Sequence, residues 1–579
     1  MKNSGAVMCA ALAAPPRAAE VDPITLEVIR HGLASIADQI EANITRTAFS
    51  PHISEYKDYA VGLTGADGYL VAQARGGIPI FVADSVGCAV RDGLKMYGVE
   101  RLHHDDVVLC NAASVQGQHL NNVVMYTPIF VGEERDRLIG FFAINAHWND
   151  IGGAAVGAGT YRSTDIFMEG LQLHTVKLVT RGEPIEEVYR IIAGNSRFPE
   201  ELLGDISAQL SGCLMGRDLT VALVTKYGVD TFLAATQLIV ERSEKLSRAR
   251  IRQIPDGVYS AEGFLDSDGI DDIPIPLKVT VIIKDDEMTV DFSEMAGQVH
   301  HGLNSGRHGG GESIARLAFK YLIDVDESAN EGTFKPLKIV LPDGKIISAS
   351  DDAAMAQYNA PIPTTIDLIL KALAPALPQR ITGGHFGSHS SLNFYRGRNL
   401  GAPFKTSDSG HGGWGATPQH DGGGPFRTMS HGDTRIVPIE VQENRAPFRV
   451  LELKLRTDSG GPGKFRGGLG FVRRYRILSP CLLFSNVDRH VTPPWGVQGG
   501  KEGAPGKISV WKKGQSEPEI VYKIEDYLLQ EGDIVQLETG GGGGYGPPAE
   551  RARELVERDV MRGYVSKEAA ARDYGVTFS

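Results

Sequence analysis

Glycine is the residue that most constrains what this chain can fold into. The 579 residues include 69 glycines, about 12% against a usual roughly 7%, and they are concentrated after residue 380. The two richest runs are DSGGPGKFRGGLG at 458–470 and TGGGGGYG at 539–546. Neither fits a nucleotide loop, because no serine or threonine follows Lys464 and two prolines rather than a helix follow the second run. We therefore predict tight turns and close backbone packing in this part of the chain.

Charge, apolar runs and cysteines limit the partners and the compartment. The formal net charge of −12 argues against nucleic acid or an anionic membrane as a general partner, since either needs clustered basic residues. The short basic run RRYR at 473–476 is interpreted as a solvated strand face. No stretch approaches the ~18–20 apolar residues of a membrane helix. Five scattered cysteines without a CxxC pair fit a reducing compartment, so we expect a cytoplasmic protein.

Hydrophobic periodicity predicts an α/β chain of the α+β type, with several lobes and mixed sheets. Asp22 and Pro23 are predicted to begin an amphipathic helix whose apolar residues recur at three- and four-residue steps. The segment IPLKVTVIIKDDEMTVDFS at 275–293 alternates as a half-buried strand does. The predicted units are a disordered tail at 1–20, an N-terminal α+β domain at 21–250, a central α/β domain at 251–380, a glycine-rich β-dominated region at 381–550 and a helical tail at 551–579.

A predicted hairpin brings candidate metal ligands together. If strands at 122–130 and 138–146 pair antiparallel about a turn near residue 134, the sequence numbers of two residues that face each other add up to roughly 268. His119 then faces the region of His147 and Asp150 at the open end of the hairpin. Two imidazoles and a carboxylate suit Zn²⁺, Mn²⁺ or Fe²⁺ and leave room for a water. The alternative, that these are hydrogen-bonded histidines in surface turns, stays open on spacing alone.

The glycine-rich region offers weaker candidates. It holds five histidines in or near glycine loops, at positions 385, 389, 411, 420 and 431. A metal-binding pair at His385 and His389 would need a helix, which Gly387 between them disfavours. No Gly-x-Ser-x-Gly motif occurs, and no cysteine has an evident histidine partner, so the sequence gives a serine or cysteine nucleophile no support.

Segments spread over nearly the whole chain carry a resemblance to a known family. They are DPITLEVIRHGLASIADQIEANITRTAFSPHISEYKDYAVGLTGADGYLVAQA, GQHLNNVVMYTPIF, AHWNDIGG, EGLQL, NEGTFKPLKIVLPDG, LRTDSGGPGKFRGGLG, PPWGVQGGKEGAPG and TGGGGGYGPP. Together they resemble the hydantoinase B family. That family includes the B component of ATP-dependent N-methylhydantoinases, the C-terminal half of 5-oxoprolinases, caprolactamase subunits, and subunits of acetone and acetophenone carboxylases.

The resemblance implies an α/β chain in a hetero-oligomer with a separate ATPase subunit of the hydantoinase A type. The partner would use ATP to activate a carbonyl, so this chain itself would bind no ATP. This chain would hold a divalent metal, which would be Zn or Mn or else Fe. At that metal, water would open the activated group, or the activated group would meet CO₂. Carried over residue by residue, the family's metal ligands fall on Asp58, His119, His147 and Asp150, with Asn122 as a further candidate. His119, His147 and Asp150 are also the expected catalytic residues.

Two positions depart from the family pattern. Family members commonly read Asn-Asp-Pro where this chain has NAA at 111–113, and Gly-Gly-Thr-His-Leu-x-Asp where it has QGQHLNN at 116–122. Ala112 and Asn122 thus stand in place of carboxylates. Because a neutral amide oxygen is a poorer partner for a divalent cation, the departures predict a weaker site or a different choice of metal.

Three functions follow as expectations. The leading one is a metal-dependent subunit of an ATP-dependent amidohydrolase that opens a cyclic amide of the hydantoin, 5-oxoproline or lactam type. The first alternative is a subunit of an ATP-dependent ketone carboxylase of the acetone or acetophenone type. The second alternative is a scaffold subunit whose metal site has degenerated, as Ala112 and Asn122 would allow.

Overall fold

The computed structural model describes residues 21–323, 327–397, 400–432 and 434–578, so the tail predicted at 1–20 lies outside the described residues. The described helices are α1 Pro23–Thr47, α2 Pro51–Ser54, α3 Val86–Tyr97, α4 Ala113–Gln116, α5 Glu186–Asn195, α6 Pro199–Tyr227, α7 Val229–Ile251, α8 Ser313–Ile323, α9 Glu331–Phe334, α10 Pro361–Ala372, α11 Ile439–Arg445, α12 Arg553–Met561 and α13 Lys567–Tyr574. The described strands are β1 Tyr59–Gly65, β2 Leu70–Gln73, β3 Val107–Cys110, β4 Asn122–Val131, β5 Arg137–His147, β6 Val176–Thr180, β7 Glu183–Pro184, β8 Gly257–Leu265, β9 Ile275–Lys284, β10 Glu287–Asp291, β11 Leu337–Val340, β12 Ser391–Arg396, β13 Phe404–Ser409, β14 Phe448–Leu455, β15 Phe471–Ile477, β16 Cys481–Asn486, β17 Lys507–Trp511, β18 Glu519–Val521, β19 Ile524–Leu529 and β20 Ile534–Glu538.

Helix α1 begins where the capping signal predicted it. The Asp22 side chain accepts hydrogen bonds from the backbone N–H groups of Ile24 and Thr25, and Pro23 is the first helical residue. One face of the helix is buried against α6 and β1. The buried residues of that face are Ile29, Leu33, Ile36, Ala37, Ile40 and Ile44. Their three- and four-residue spacing explains why this helix could be predicted from sequence.

A seven-stranded antiparallel sheet, in the order β2-β1-β5-β4-β3-β6-β7, forms the centre of the N-terminal part. It contains the predicted hairpin of β4 and β5, in which Asn122 lies opposite His147. Past a register irregularity near Ile129, Val131 lies opposite Arg137. The predicted pairing is therefore met at the turn end of the hairpin and is offset by one residue at its open end. Helix α6 packs across β4 and β5 and covers this part of the sheet.

Three smaller sheets complete the fold. The strand expected at 275–293 is instead a hairpin of β9 and β10, because the charged residues Asp285 and Asp286 make a turn in which Asp285 has a φ of 57°. These strands belong to a sheet in the order β11-β10-β9-β8. The glycine-rich region contributes two sheets, β13-β12-β16-β19 and β14-β15-β20-β17-β18. The mixed α/β class with several sheets agrees with the sequence-based expectation.

The interpretation of the basic run at 473–476 as a solvated face was wrong for Arg473, whereas Arg474 is half-buried and Arg476 is exposed. Arg473 is fully buried, and its guanidinium donates to Asp408 at 2.8 Å and to Gln442 at 2.8 Å. Alternate residues of β15 point to the same side of the sheet, and Tyr475 is buried on the side that Arg473 faces. Arg476, on the opposite side, is exposed. The alternation of this central strand thus places Arg473 in the core and leaves Arg474 and Arg476 on the other face.

One large hydrophobic cluster includes residues of both the predicted N-terminal and central domains, from Ile29 to Leu377, and reaches Phe484 of β16. A second cluster fills the space between the two C-terminal sheets, and a third lies beneath α12 and α13. The predicted domain boundaries remain a prediction. Among the described residues no helix has the length and apolar character needed to cross a bilayer.

Close backbone packing accounts for the run Gly540–Gly544. A Cβ atom at Gly542 would lie 2.0 Å from the carbonyl oxygen of Trp414, and one at Gly543 would lie 1.9 Å from that of Trp495. The backbone of this run also bonds to neighbouring loops, since Gly542 N–H donates to Gly468 and Gly543 N–H donates to Gly384. These glycines let backbone segments of the same chain approach each other more closely than any side chain would permit, as the sequence predicted.

We expect Gly542→Ala to lower the free energy of unfolding by about 3 kcal/mol or more, because the obstructing atom is backbone and cannot rotate away. The control is Gly194→Ala in α5, where an added Cβ meets nothing within 4 Å. That change should be neutral or stabilising by up to about 1 kcal/mol. Urea unfolding followed by circular dichroism measures both. Equal stability of the two variants would contradict the packing role assigned to Gly542.

Candidate metal centre

The register of three strands brings together the ends that carry the candidate ligands. Tyr59 of β1 lies opposite Ala146 of β5, so Asp58 immediately before β1 is adjacent to His147 at the end of β5. The backbone N–H of His147 donates to the carbonyl oxygen of Asp58 at 3.0 Å. On the other side of β5, Asn122 at the start of β4 lies opposite His147. Antiparallel pairing thus places these three side chains at one edge of the sheet.

His119 and Asn122 present two acceptors to each other. Burial lowers the pKa of His119 to about 4, so at neutral pH its ring has a single N–H for two neighbouring acceptors. With that proton on Nδ1, which is 3.2 Å from the carbonyl oxygen of Ala356, the lone pair is on Nε2. That Nε2 is 3.1 Å from Oδ1 of Asn122. The amide orientation is fixed because Nδ2 donates to Gln118 and to the Tyr358 hydroxyl. A cation bound by both atoms would turn this repulsion into attraction.

Two further lone-pair atoms of the site have no hydrogen-bond partner among the described residues. They are Oδ1 of Asp58 and Nδ1 of His147, and both are buried. Burial lowers the pKa of His147 well below its ordinary value, so this imidazole is neutral as metal coordination requires. Buried polar atoms without partners are costly, and a bound cation would satisfy both. The donor set therefore fits a divalent metal ion.

His52 joins the site although the spacing argument did not include it. Its Nε2 is 2.9 Å from Oδ2 of Asp58, and its ring centroid is 4.4 Å from that of His147. Potential ligand atoms of these three residues all lie within 4.8 Å of one another. His52 precedes Asp58 by only six residues, in the segment SPHISEYKD, so this short histidine-to-aspartate spacing was the available signal.

Asp150 is not brought into this group. Its Oδ1 accepts from the backbone N–H of Gly157 at 3.1 Å and from Arg197 at 2.8 Å, and its Oδ2 accepts from the backbone N–H of Arg197 at 2.6 Å. These bonds occupy both oxygens and anchor the chain beyond the hairpin. Hairpin geometry fixes only residues within the strands, and Asp150 lies three residues past the end of β5, where the chain has already turned. The structure thus gives Asp150 a structural contact in place of the expected ligand position.

The site opens into a cavity between the N-terminal sheet and the sheet of β12 and β13. The space available to the centres of water molecules is about 70 Å³, several times the ~10–15 Å³ that one water needs. Asp58, His119, Asn122 and His147 line one side. Residues more than two hundred positions further along the chain line the other. The polar ones among them are Gln357, Tyr358, Asn359, Ser391, Asn393, Lys405, Ser407, Ser409, Arg427 and His431.

Comparison with known proteins places the chain in a family. The profile of the family described as Hydantoinase B/oxoprolinase matches residues 22–548. The chain belongs to this family. It is 30% identical to a Pseudomonas protein named as the B component of a D-/L-hydantoinase, over 97% of this chain and 96% of that protein.

Solved structures agree with this assignment. The crystal structure of the ATP-dependent caprolactamase from Pseudomonas jessenii matches with a TM-score of 0.86 and 27% identity, over 97% of each chain. A nucleotide-free acetone carboxylase structure also matches with a TM-score of 0.86, over 96% of this chain and 80% of that one. At 18% identity the second match shows a shared fold only.

The histidines of the glycine-rich loops have separate surroundings. His431 lines the cavity, with its ring centroid 4.6 Å from that of His389. The two ring nitrogens of His411 lie 3.1 Å and 3.0 Å from the backbone carbonyl oxygens of Ser409 and Thr434, and the single N–H of the neutral ring donates to one of them. His385 is beside Asp367, 3.2 Å away, so His385 and His389 do not act as a pair. His420 is exposed.

A second cluster of potential ligands forms an ion-pair network. His308 Nδ1 lies 2.5 Å from Oδ2 of Asp84 and 2.8 Å from Oε2 of Glu312. Arg91 contacts the other oxygen of Asp84 at 2.9 Å, and Arg316 lies 3.9 Å from it. A metal ion would have to compete with both guanidinium groups. The network links the turn before α3 to the turn before α8, and thereby two distant parts of the chain.

We expect this network to make stability depend on pH. Burial alone would lower the pKa of His308, but its contacts with Asp84 and Glu312 outweigh burial and raise the pKa from 6.5 to about 9. The stabilisation is therefore fully present below pH 6.5 and is lost as the pH rises through 9. The loss should be about 1–2 kcal/mol, because one pKa unit is worth about 1.4 kcal/mol and His308 is partly exposed to solvent.

Urea unfolding at pH 6.5 and at pH 9.5 checks this. His308→Gln should lower stability at pH 6.5 and reduce the difference between the two pH values, whereas the exposed control His420→Gln should leave that difference unchanged. A His308→Gln variant with the pH dependence of the wild type would show that His308 is not its source.

Proposed function

We propose that this chain is the metal-dependent subunit of an ATP-dependent enzyme that opens a cyclic amide of the hydantoin, 5-oxoproline or lactam type. The observation that carries the proposal is one cavity lined by Asp58, His119 and His147, in which Oδ1 of Asp58 and Nδ1 of His147 have no hydrogen-bond partner among the described residues. Asn122 would supply a fourth donor through its amide oxygen. Imidazole nitrogens with carboxylate and amide oxygens suit Zn²⁺ or Mn²⁺, and also Fe²⁺.

A divalent ion bound there would polarise a carbonyl group and lower the pKa of water. The protein residues have the remaining tasks of holding, orienting and moving protons. Burial keeps His119 and His147 neutral at pH 7, and the hydrogen bond from His119 to the carbonyl of Ala356 fixes the ring so that Nε2 faces the cavity. A ring whose orientation is already fixed loses less conformational freedom when it binds a metal.

Tyr358 and His52 are the residues we assign to substrate and proton handling. Burial raises the pKa of Tyr358, so its phenol stays protonated. Because the Tyr358 oxygen accepts from Asn122, its own proton is available to donate a hydrogen bond to a substrate oxygen in the cavity. His52 is less buried than His119 and His147 and is in contact with Asp58, a position from which an imidazole can pass protons between the cavity and solvent.

The proposal includes a partner that handles ATP. The hydantoinase relative is named as one component of its enzyme, which supports a complex of unlike subunits. At Gly542 and Gly543 the glycine run serves backbone packing, which supports the expectation that nucleotide is bound elsewhere. An ATPase subunit of the hydantoinase A type would therefore activate the carbonyl, and this chain would complete the reaction. A ketone carboxylase remains the alternative, supported by the fold it shares with acetone carboxylase.

We expect His147→Ala to lose bound metal to less than about one-tenth of the wild-type content, with loss of ATP-dependent ring opening. Asp150→Asn should keep its metal, because Asp150 bonds to Arg197 and Gly157 outside the donor set. Plasma mass spectrometry measures the metal, and turnover of a hydantoin and lactam panel with the ATPase partner measures activity.

Three results would contradict the proposal. Full turnover after replacing both His119 and His147 by alanine would remove these residues from the reaction. Substrate consumption that requires bicarbonate would favour the carboxylase. Wild-type protein with less than about one-tenth metal, and no recovery on adding Mn²⁺ or Zn²⁺, would favour a scaffold subunit.

Restoring the carboxylate that family members carry at position 122 should strengthen metal binding. We expect Asn122→Asp to raise divalent metal affinity by about tenfold, since a carboxylate replaces a neutral amide oxygen 3.1 Å from His119. Competition with a chelator of known affinity measures the change. Asn121→Asp is the matched control, because the Asn121 amide donates to the carbonyl of Trp148 outside the donor set. Equal metal affinity in wild type and Asn122→Asp would exclude Asn122 from the metal site.

A further inference from the structure

Lys405 is a cation in the cavity wall without an acidic partner. Its Nζ donates to the carbonyl oxygens of Asn149 at 3.0 Å and Gly157 at 3.1 Å. No carboxylate of the described residues lies within ion-pair distance of it. Lys405 is on β13, where it shares one face with Ser407 and Ser409, and all three line the cavity. Two neutral carbonyls hold this ammonium group in place and leave one N–H free.

Arg427, in the same cavity wall, is buried and likewise has no acidic partner among the described residues. Its Nη1 donates to the carbonyl oxygens of His389 at 2.7 Å and Gly410 at 2.8 Å, and its Nη2 is 2.9 Å from Nδ1 of His389. Its Nε has no hydrogen-bond partner within the described part of the chain. Burying a guanidinium group against neutral partners alone is costly, so this position requires a counter-charge from outside the chain.

Other buried arginines show how this chain ordinarily neutralises such charges. Each has a carboxylate oxygen within 4 Å, and the pairs are Arg217 with Asp105, Arg466 with Asp559, Arg473 with Asp408, Arg489 with Asp367 and Arg551 with Asp421. Arg427 departs from this pattern, and it does so where it lines the cavity that holds the metal-site residues.

The formal charge of the cavity is positive even without a metal ion. Asp58 is the one carboxylate among the described residues that line it, against the cations Lys405 and Arg427, which leaves a charge of +1. This formal count takes the histidine side chains of the cavity as neutral. A divalent cation would raise the charge to +3. A partly enclosed cavity of this charge attracts anions.

We propose that this cavity binds its substrate through an oxyanion, a carboxylate or a phosphoryl group, which Lys405 and Arg427 attract. The inference rests on the proposed function, because it names the charge class of the substrate for that site. The wall supplies neutral donors beside the two cations. Ser409 lies opposite Ser391 and Ser407 lies opposite Asn393 across β13 and β12, so hydroxyl and amide groups form a continuous polar surface.

The oxyanion has two chemical sources. One is a carboxylate on the cyclic amide itself, as in 5-oxoproline. The other is the phosphoryl group that an ATP-dependent partner would place on the carbonyl oxygen. Both present oxygens that an ammonium and a guanidinium group bind through charge-assisted hydrogen bonds.

Calorimetric titration of the purified full-length chain separates the sources without ATP or partner. The probes are 5-oxoproline, its neutral ring analogue 2-pyrrolidinone, and inorganic phosphate. Lys405→Met and Arg427→Lys are the test variants, and the exposed residues Lys245→Met and Arg476→Lys are the matched controls. Thermal unfolding confirms that each variant is folded, and metal content should remain that of the wild type.

We expect Lys405→Met to weaken oxyanion binding by about tenfold or more, with a smaller loss for Arg427→Lys, which keeps the charge but loses the fork of donors. If only the affinity for 5-oxoproline falls, and the affinity for 2-pyrrolidinone stays within about twofold of the wild type, the oxyanion is a substrate carboxylate. Loss confined to phosphate assigns it to the phosphoryl group. The inference is overturned if every anion that the wild type binds is bound equally by the test and control variants, or if the wild type binds neither anion.

These binding measurements remain interpretable if the proposed ring-opening activity is wrong, because they require no turnover. Conversely, a chain that opens cyclic amides but binds both anions equally in all variants would keep its proposed function and lose the oxyanion site.

Discussion

The antiparallel register of β1, β5 and β4 is the constraint on which the rest of the site depends. In such a sheet a slip of one residue sends every side chain to the opposite face. The observed register, with Asn122 opposite His147 and Asp58 next to it, places three donor groups at one sheet edge. Helix α6 holds this register from one face, since the Gln209 amide donates to the carbonyls of Val123 and Ile144 on the two strands of the hairpin.

The second half of the chain supplies the other wall of the cavity beside the metal-site residues. Strand β13 brings Lys405 to the cavity, and the loop that follows brings Arg427 and His431. These loops contain little regular structure and are positioned by close backbone contacts of glycines, such as those of Gly542 and Gly543 with the carbonyl groups of Trp414 and Trp495. The glycines therefore matter for the site because they hold its loops in fixed positions. Loops packed at backbone distance cannot shift without losing many contacts at once.

Local signals account for what the sequence could predict. Helix α1 and the β4–β5 hairpin follow from periodicity, and the start of α1 also follows from its cap at Asp22. The pairing geometry of the hairpin was enough to predict that His119 lies close to His147. The centroids of the two rings are 5.0 Å apart.

The misses fall where no local rule reaches. Asp150 lies just past a strand end, so its direction depends on Arg197, which contacts it from the segment before α6. Arg473 looked like part of a surface run because nothing nearby in sequence reveals Asp408, its partner across the core. Lys405 and Arg427 carry no sequence signal of their role, since their position depends on how the two halves of the chain pack. Residues contributed across a tertiary interface require the structure.

The neutral side chain of Asn122 affects both ligands proposed for the cavity, the metal ion and the oxyanion. Its neutral amide oxygen lies 3.1 Å from Nε2 of His119, at a position where the resemblance to the hydantoinase B family implies a carboxylate. A neutral amide weakens the hold on a divalent ion, but it also leaves the cavity one unit more positive. Attraction for an anionic substrate increases as that negative charge is removed. The same substitution therefore acts in opposite directions on the two ligands, with weaker metal binding accompanied by stronger oxyanion binding through Lys405 and Arg427.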